Sequence, residues 1–177
     1  MESLTSMVMG CCLGTVLLVA SVADLRARIV PNGCIVVGIA IWMAARLAQW
    51  VGGLPLSVLV GHVLWSLGGA LGVSMLLLAT WFAFERVAGK QGLGGGDIKL
   101  FFVTGLFLGF EGNVLNVLLA CAFGAPFGWW WKRRARRAAL APSSSVLQAS
   151  PIVVTRDDGF PFAPCIALST TICLLLT

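Results

Sequence analysis

Apolar residues form six long runs along the chain, separated by short polar stretches. A helix needs about 20 apolar residues to cross the hydrocarbon core of a bilayer, and most of the runs approach that length. The pattern predicts an all-α polytopic membrane protein, a bundle of about six transmembrane helices in one membrane-embedded domain that covers the whole chain. The runs cover residues 4–23, 33–50, 57–84, 98–110, 114–131 and 160–177.

The polar stretches indicate where the helices end. Gly-Gly-Leu-Pro at 52–55 predicts a turn between the second and third runs, and Glu-Gly-Asn at 111–113 predicts one between the fourth and fifth. Residues 132–159 combine a basic cluster with an Ala/Ser/Pro-rich stretch that has no sustained periodicity. They predict a cytoplasmic loop before the last helix.

The composition agrees with a membrane protein and argues against a nucleic-acid-binding one. Hydrophobic residues make up 59% of the chain and charged residues 11%, against about 45–50% and about 25% in soluble domains. The net charge is +5, but the cations lie between apolar runs and do not form one polar face. The largest cluster of cations, at 132–137, follows three tryptophans at 129–131. This pattern is typical of a helix end at the lipid headgroups.

The distribution of Lys and Arg predicts the orientation of the bundle, because cytoplasmic loops are rich in these residues. If the N-terminus lies outside, all 12 Lys and Arg residues except Arg46 fall at or near the cytoplasmic side. The polar stretches on the opposite side, at 51–56 and 111–113, contain no Lys or Arg. We therefore expect an outer N-terminus.

The six cysteines include no CxxC pair and no Cys/His cluster with the spacing of metal ligands. Most of them lie inside apolar runs, where a free cysteine packs as a small apolar residue. We therefore expect packing cysteines and no metal site.

Two acids stand at the ends of apolar runs, and the predicted topology puts both at the cytoplasmic side. Asp24 closes the first run, and Asp97 opens the fourth. An acid at the membrane edge is costly to bury, and its presence there suggests a function. A structural role is the alternative for each: Asp97 could cap the helix that follows it, and Asp24 could pair with Arg26.

Taken together, the two acids indicate hydrolytic chemistry. Their helices can be neighbours in a bundle, and two adjacent carboxylates share a proton because both cannot ionise at once. One can then act as general base on a water and the other as general acid. Three glycines at 94–96 directly precede Asp97. Without Cβ atoms they leave space for an extended peptide beside the acid.

Three motifs, in this order along the chain, resemble those of the type IV prepilin peptidases, a family of membrane aspartic proteases. The stretch at 94–100, Gly-Gly-Gly-Asp-Ile-Lys-Leu, resembles the family's GxGD signature. The stretch at 24–32, Asp-Leu-Arg-Ala-Arg-Ile-Val-Pro-Asn, resembles its first-aspartate motif. Pro-Phe-Ala-Pro at 161–164 is similar to the Pro-Phe-Gly-Pro that opens the family's last helix, with Ala163 in place of the glycine.

This resemblance implies that Asp24 and Asp97 are the catalytic pair of an aspartic endopeptidase that needs no metal or other cofactor. Such an enzyme removes the short basic leader from prepilins at the cytoplasmic face of the bacterial inner membrane. The other residues implied for the site shape the catalytic loop or contact the substrate, and they are Gly94, Gly95, Gly96, Lys99, Pro161, Phe162 and Pro164.

Longer members of the family are bifunctional. They also methylate the new pilin N-terminus, and they carry an N-terminal cytoplasmic region with paired CxxC motifs. This sequence contains neither such a region nor a CxxC motif. The chain therefore resembles the short, peptidase-only form associated with Flp/Tad pili. We expect an Flp-type prepilin substrate, contact with the pilus assembly machinery and no methyltransferase activity.

Two alternative functions remain open from the sequence. Another GxGD-type intramembrane protease would act on preflagellins or signal-peptide-like substrates. A small transporter or assembly scaffold would use the two acids to bind a cation or proton and would cleave no peptide bond.

Overall fold

The computed structural model describes residues 2–27, 29–88, 94–139 and 161–176. Within these ranges the protein is helical and contains no strand, so the all-α prediction is confirmed. The helices are α1 (Glu2–Ala27), α2 (Asn32–Val51), α3 (Leu56–Ala88), α4 (Gly95–Ala139) and α5 (Ala163–Leu176).

Several of these helices are suited to cross a bilayer. Four stretches in the described chain are long and apolar enough, while α5 is a shorter apolar helix. The protein is therefore a multi-pass membrane protein. The four candidate spans are Met7–Ala27, Asn32–Val51, Leu56–Val87 and Gly95–Trp131.

Helix α4 contains a reversal of the chain at Gly109. This glycine has φ 70° and ψ −168°, a left-handed conformation that only glycine adopts easily. The Asn116 amide donates to the Thr104 hydroxyl at 3.1 Å, whereas residues twelve apart in one straight helix are separated by about 18 Å. Residues 95–108 (α4a) and 110–139 (α4b) are therefore antiparallel, which makes six helical segments in the described chain.

The position of this reversal differs from the sequence prediction. Residues 111–113, predicted as the turn, are helical, and the break falls at Gly109. The cause is packing against α3. A Cβ at Gly109 would lie 3.2 Å from Nε1 of Trp65, and the neighbouring Gly69 of α3 lies directly against the Gly109–Phe110 backbone.

The predicted loop at 132–159 is wrong in its first part, because α4b continues as a helix to Ala139. Alanine and arginine, which dominate residues 133–139, favour helix. Arg133 and Arg134 also lie one helical turn beyond tryptophans that they contact. The Arg133 Cζ is 3.6 Å from the Trp129 ring centroid, and the Arg134 Cζ is 5.5 Å from that of Trp130. Residues 140–159 of the predicted loop lie outside the described residues.

Short connections fix the neighbouring helices. The chain leaves α1 and enters α2 through Pro31, which has an extended conformation at the helix start. At the other end of α2, the predicted turn at 52–55 is present. Gly52 donates to the Ala48 carbonyl at 2.9 Å, Gly53 has φ 92°, and Pro55 begins the backbone bonding that leads into α3.

The packing of the helices leaves α1 and α4 apart. Helix α4 packs on α3, α5 and α2, while α1 packs on α5 and α2. In the described chain, no Cα atom of α1 comes within 8 Å of one of α4. Side chains fill the interval between them. Leu17 of α1, Leu100 and Phe101 of α4a and Ile166 of α5 belong to one buried cluster.

Candidate active site

Asp24 lies in the last turn of α1, where only 6% of its surface is exposed. Its Oδ2 atom accepts a hydrogen bond of 2.9 Å from the backbone N–H of Ala163. Ala163 is the first residue of α5, and the first N–H groups of a helix have no acceptor within that helix. Asp24 therefore caps α5 from a different helix. This contact joins the first-aspartate motif to the Pro-Phe-Ala-Pro motif.

Asp97 is the third residue of α4a and is also buried, with 9% exposed. The backbone N–H of Asp97 donates to the carbonyl of Gly94 at 3.0 Å. Because the helix already begins at Gly95, Asp97 lies within its first turn and does not precede it. The capping alternative considered from the sequence, with Asp97 directly before the helix, is therefore wrong.

Each of the three glycines before Asp97 has a different environment. A Cβ at Gly94 would lie 3.0 Å from Oδ2 of Asp97, so a side chain there would crowd the carboxylate. A Cβ at Gly96 would lie 3.1 Å from Cβ of Val30, which belongs to the first-aspartate motif. Gly95 faces open space within 4 Å. Close packing thus explains a glycine at two of the three positions.

The two acids lie on either side of the interval between α1 and α4a, where Gly96, the neighbour of Asp97, packs on Val30 of the first-aspartate motif. They are close enough for direct interaction between their charges, although their helices do not pack together. Helices α2 and α5, which contact both α1 and α4, form the sides of this interval. A buried pair of carboxyl groups in this arrangement can share a proton and act on one water.

Lys99 was predicted for the site, and the structure puts it at the edge. Its side chain is exposed, and Nζ donates to Oδ1 of Asn32 at 3.2 Å. Asn32 is the first residue of α2 and the last of the first-aspartate motif. Lys99 therefore links the two acid-bearing motifs beside the acids.

The residues at 161–164 precede and open α5, and most of them are buried. Pro161 and Phe162 are buried, and Pro164 is half-buried. The Phe162 ring lies 6.4 Å, between centroids, from that of Phe101 in α4a. A Cβ at Gly124 of α4b would overlap the same ring. Phe162 is thus a packing residue that connects α5 with both halves of α4.

Two contributions to the site are not visible in the sequence. The donor to Asp24 is the backbone N–H of Ala163, and residue type does not reveal a backbone donor. Cys165, the third residue of α5, is buried and close enough to both acids for their charges to act on its thiol. Only its position shortly after the Pro-Phe-Ala-Pro motif could have indicated it. Among the described residues, no three His, Cys, Asp or Glu side chains are grouped as metal ligands.

The fold and the site define the class of protein: an all-α membrane bundle that buries two acids at helix ends. The model of the type IV leader peptidase family matches residues 11–129, about two thirds of the chain, including both Asp24 and Asp97. The chain therefore belongs to the type IV leader peptidase family.

Curated relatives agree with this assignment over part of the chain. The prepilin leader peptidase/N-methyltransferase of Aeromonas salmonicida (strain A449) is 37% identical over 81 residues, which is 44% of this chain and 27% of that protein. The protein of the same name from Aeromonas hydrophila matches with the same identity and coverage. That of Xanthomonas campestris pv. campestris is 36% identical over 62 residues, 35% of this chain and 21% of that protein. The chain thus spans about a quarter of the length of the relatives that it matches. No solved structure matches it.

Proposed function

We propose that this protein is an aspartic endopeptidase that removes the N-terminal leader from Flp-type prepilins. The observation that carries the proposal is the pairing of Asp24 and Asp97. The two acids are buried, lie within reach of each other's charge and fall inside the stretch matched by the family. The names of the curated relatives supply the substrate class, a prepilin with a leader.

In the proposed reaction, a water lies between the two carboxyl groups. The ionised carboxylate accepts a proton from this water, and the oxygen of the water attacks the carbonyl carbon of the scissile bond. The protonated carboxyl group stabilises the carbonyl oxygen, and the leaving nitrogen takes up the proton that the first carboxylate accepted from water as the C–N bond breaks. The products are a free leader carboxyl terminus and a new pilin N-terminus. No cofactor takes part.

The backbone donor of Ala163 has a clear role in this mechanism. Its N–H bond to Asp24 holds one carboxylate oxygen in place, and the N-terminal end of α5 favours negative charge there. The missing side chain at Gly94 leaves the Asp97 carboxylate uncrowded, so that an extended peptide backbone can lie beside the acid.

The proposal includes a location and an orientation. The protein resides in the bacterial inner membrane with its N-terminus outside and its active site toward the cytoplasm, because the Lys and Arg residues cluster on that side. Its partners are the Flp-type prepilin, the bilayer and the pilus assembly machinery. It carries no N-methyltransferase activity, a proposal supported by the lack of a CxxC pair in the sequence.

Co-expression with an Flp-type prepilin tests this function. The wild type, Asp24→Asn and Asp97→Asn are compared by gel shift and by intact mass of the pilin. Glu111→Gln serves as the matched control, because Glu111 is an exposed acid far from the pair in α4b. We expect cleavage by the wild type and the control, accumulation of uncleaved prepilin with both Asp variants at normal membrane levels, and an unmethylated product.

Other results of the co-expression assay would indicate a different function. Cleavage of a preflagellin or signal peptide in place of the prepilin identifies a different intramembrane protease. If no peptide is cleaved and Asp24→Asn or Asp97→Asn alters ion flux or pilus assembly, the protein is a transporter or scaffold. A methylated pilin overturns the peptidase-only part of the proposal.

A further inference from the structure

A group of neutral polar side chains lies buried between α4a, α4b and α5, beyond the acid pair. Its members, here called the amide cluster, are each 0% exposed. They are Thr104, Asn113, Asn116, Ser169 and Thr170. Polar groups inside a membrane protein are costly unless they are hydrogen-bonded, so the partners of this cluster are informative.

Asn116 of α4b is the centre of the cluster, since its amide bonds to both other helical segments. Its Nδ2 donates to the Thr104 hydroxyl of α4a at 3.1 Å. Its Oδ1 accepts from Thr170 of α5 at 3.2 Å and from Ser169 in a shorter bond. One side chain thus fastens α4a and α5 to the same point of α4b.

The rest of the cluster supports this connection. The Asn113 amide donates to the backbone carbonyl of Phe101 at 3.2 Å, and its Oδ1 lies 3.3 Å from the Thr104 hydroxyl. Both contacts cross the reversal at Gly109. They hold α4b in fixed register against α4a, the segment that carries Asp97.

The cluster and the acids lie at matching positions on two helices. Thr104 follows Asp97 by seven residues along α4a, and Thr170 follows Ala163 by seven residues along α5. Each interval corresponds to about two helical turns, or about 10 Å. At one end the two helices are joined by Asn116, and at the other end Ala163 bonds to Asp24. Helix α4a makes no close backbone contact with α1, so its position relative to Asp24 is set through side chains and through α2 and α5, which contact both helices.

We propose that Asn116 is a positioning residue that sets the location of Asp97 relative to Asp24. The connection runs from Asp97 through α4a to Thr104, across Asn116 to Thr170, and back through α5 to Ala163 and Asp24. This inference rests on the proposed function for its effect on catalysis, but the positional effect itself is independent of any activity.

The positional effect is measured with a reporter that leaves both acids in place. Asn32→Cys and Lys99→Cys are introduced together, since these exposed side chains are in contact and Lys99 lies two residues from Asp97. Bifunctional methanethiosulfonates of graded length then bridge the two positions in the full-length protein, and mass spectrometry identifies the bridged peptides. We expect Asn116→Leu to lower the yield with the shortest effective reagent by about threefold and to shift bridging toward longer reagents.

Two further variants make the test specific. Thr104→Val keeps the shape of the side chain and removes the acceptor of the Asn116 amide, so it carries the test if Asn116→Leu is not recovered as a folded protein. Thr171→Val is the matched control, because Thr171 is exposed and, within the described part of the chain, its hydroxyl bonds only to the Ala167 carbonyl of its own helix. We expect Thr104→Val to act in the same direction as Asn116→Leu, and Thr171→Val to leave the bridging pattern unchanged.

The catalytic effect is measured with a purified prepilin and variants without the reporter cysteines. Misplaced reacting groups lower the rate of the chemical step. We expect Asn116→Leu to reduce kcat by about tenfold with KM unchanged. A bridging pattern identical to that of Thr171→Val overturns the proposal, as does altered bridging with an unchanged kcat. If the wild type cleaves no prepilin, the proposed function fails, while the bridging result still decides whether Asn116 positions α4a.

Discussion

Two buried polar regions of the described chain, the acid site and the amide cluster, differ in the kind of side chain that they contain. The acid site at the start of α4a and α5 holds two ionisable groups, and one of its donors is a backbone N–H at a helix end. The amide cluster about two turns further along the same helices holds only neutral side chains, bonded to each other and to backbone carbonyls. Neutral hydrogen bonds are sufficient to fasten helices inside a membrane.

The two regions also differ in whether their polar groups stabilise or repel each other. In the amide cluster, both amide groups have partners for nitrogen and oxygen, which favours a single rigid arrangement. In the acid site, two groups that repel each other when ionised are held together by the surrounding helices. We therefore expect changes in the cluster to affect stability and, through the placement of Asp97, the rate of the chemical step, and changes in the acid site to affect mainly activity.

The largest effect on stability is expected for Gly105→Ala. The new Cβ would lie 2.8 Å from Cα of Ala70 in α3 and would overlap the Asn113 amide. Overpacking of this kind costs about 1–3 kcal/mol, and loss of the amide bond adds to it. Thermal unfolding in detergent measures the change. Gly68→Ala is the control, because nothing lies within 4 Å of a Cβ there, and its stability should be equal or higher. Equal losses for both variants would show that close packing at Gly105 has no special role.

The next largest effect is expected for Ala163→Pro, which acts on the acid site. Proline is tolerated at the first position of a helix but lacks the N–H that bonds to Asp24. A hydrogen bond to a charged group contributes about 1.5–3 kcal/mol, so cleavage should fall by about tenfold or more. Ala163→Gly keeps the N–H and should cleave like the wild type. The rate of leader removal from a purified prepilin gives both values, and full activity of Ala163→Pro would mean that this donor is dispensable.

The next effect, no larger than that of Ala163→Pro, is expected for Gly94→Ala, with Gly95→Ala as its matched control. A Cβ at Gly94 would crowd Oδ2 of Asp97, whereas one at Gly95 would meet open space. Displacement of the carboxylate should lower the cleavage rate by about tenfold, while Gly95→Ala stays close to the wild-type rate. The same cleavage assay compares the two variants. A larger loss of cleavage rate for Gly95→Ala than for Gly94→Ala would indicate that the substrate approaches Asp97 beside Gly95.

The smallest effect is expected for Lys99→Met. The Lys99 ammonium is exposed and contacts Asn32, not the acids, and exposed polar contacts of this kind contribute about 1 kcal/mol or less. We expect a change in cleavage rate below about fivefold. Rates measured at low and high salt check that interpretation. A loss as large as that of Ala163→Pro would assign Lys99 a direct role at the substrate.

The sequence pattern singles out Asp24 and Asp97 as candidates but gives little indication of the amide cluster. Asp24 and Asp97 were identifiable because acids are rare at the ends of apolar runs, and the glycines before Asp97 marked its loop. Asn113 was assigned to a turn, since Glu-Gly-Asn has the composition of one. The reversal is at Gly109, because contact with Trp65 and the α3 backbone determines where the helix breaks. Such tertiary contacts, like the pairing of Asn116 with Thr170, are not encoded in local pattern.

The most direct test of the paired-acid mechanism is a double-mutant cycle on purified protein in proteoliposomes with an Flp-type prepilin. Residues that act as one catalytic unit are strongly non-additive. Asp24→Asn and Asp97→Asn should each lower kcat by at least about a hundredfold, and the double variant should be no slower than the slower single variant. Losses that multiply in the double variant, or near-wild-type cleavage by either single variant, would contradict the central claim that the two carboxyl groups act together on one water.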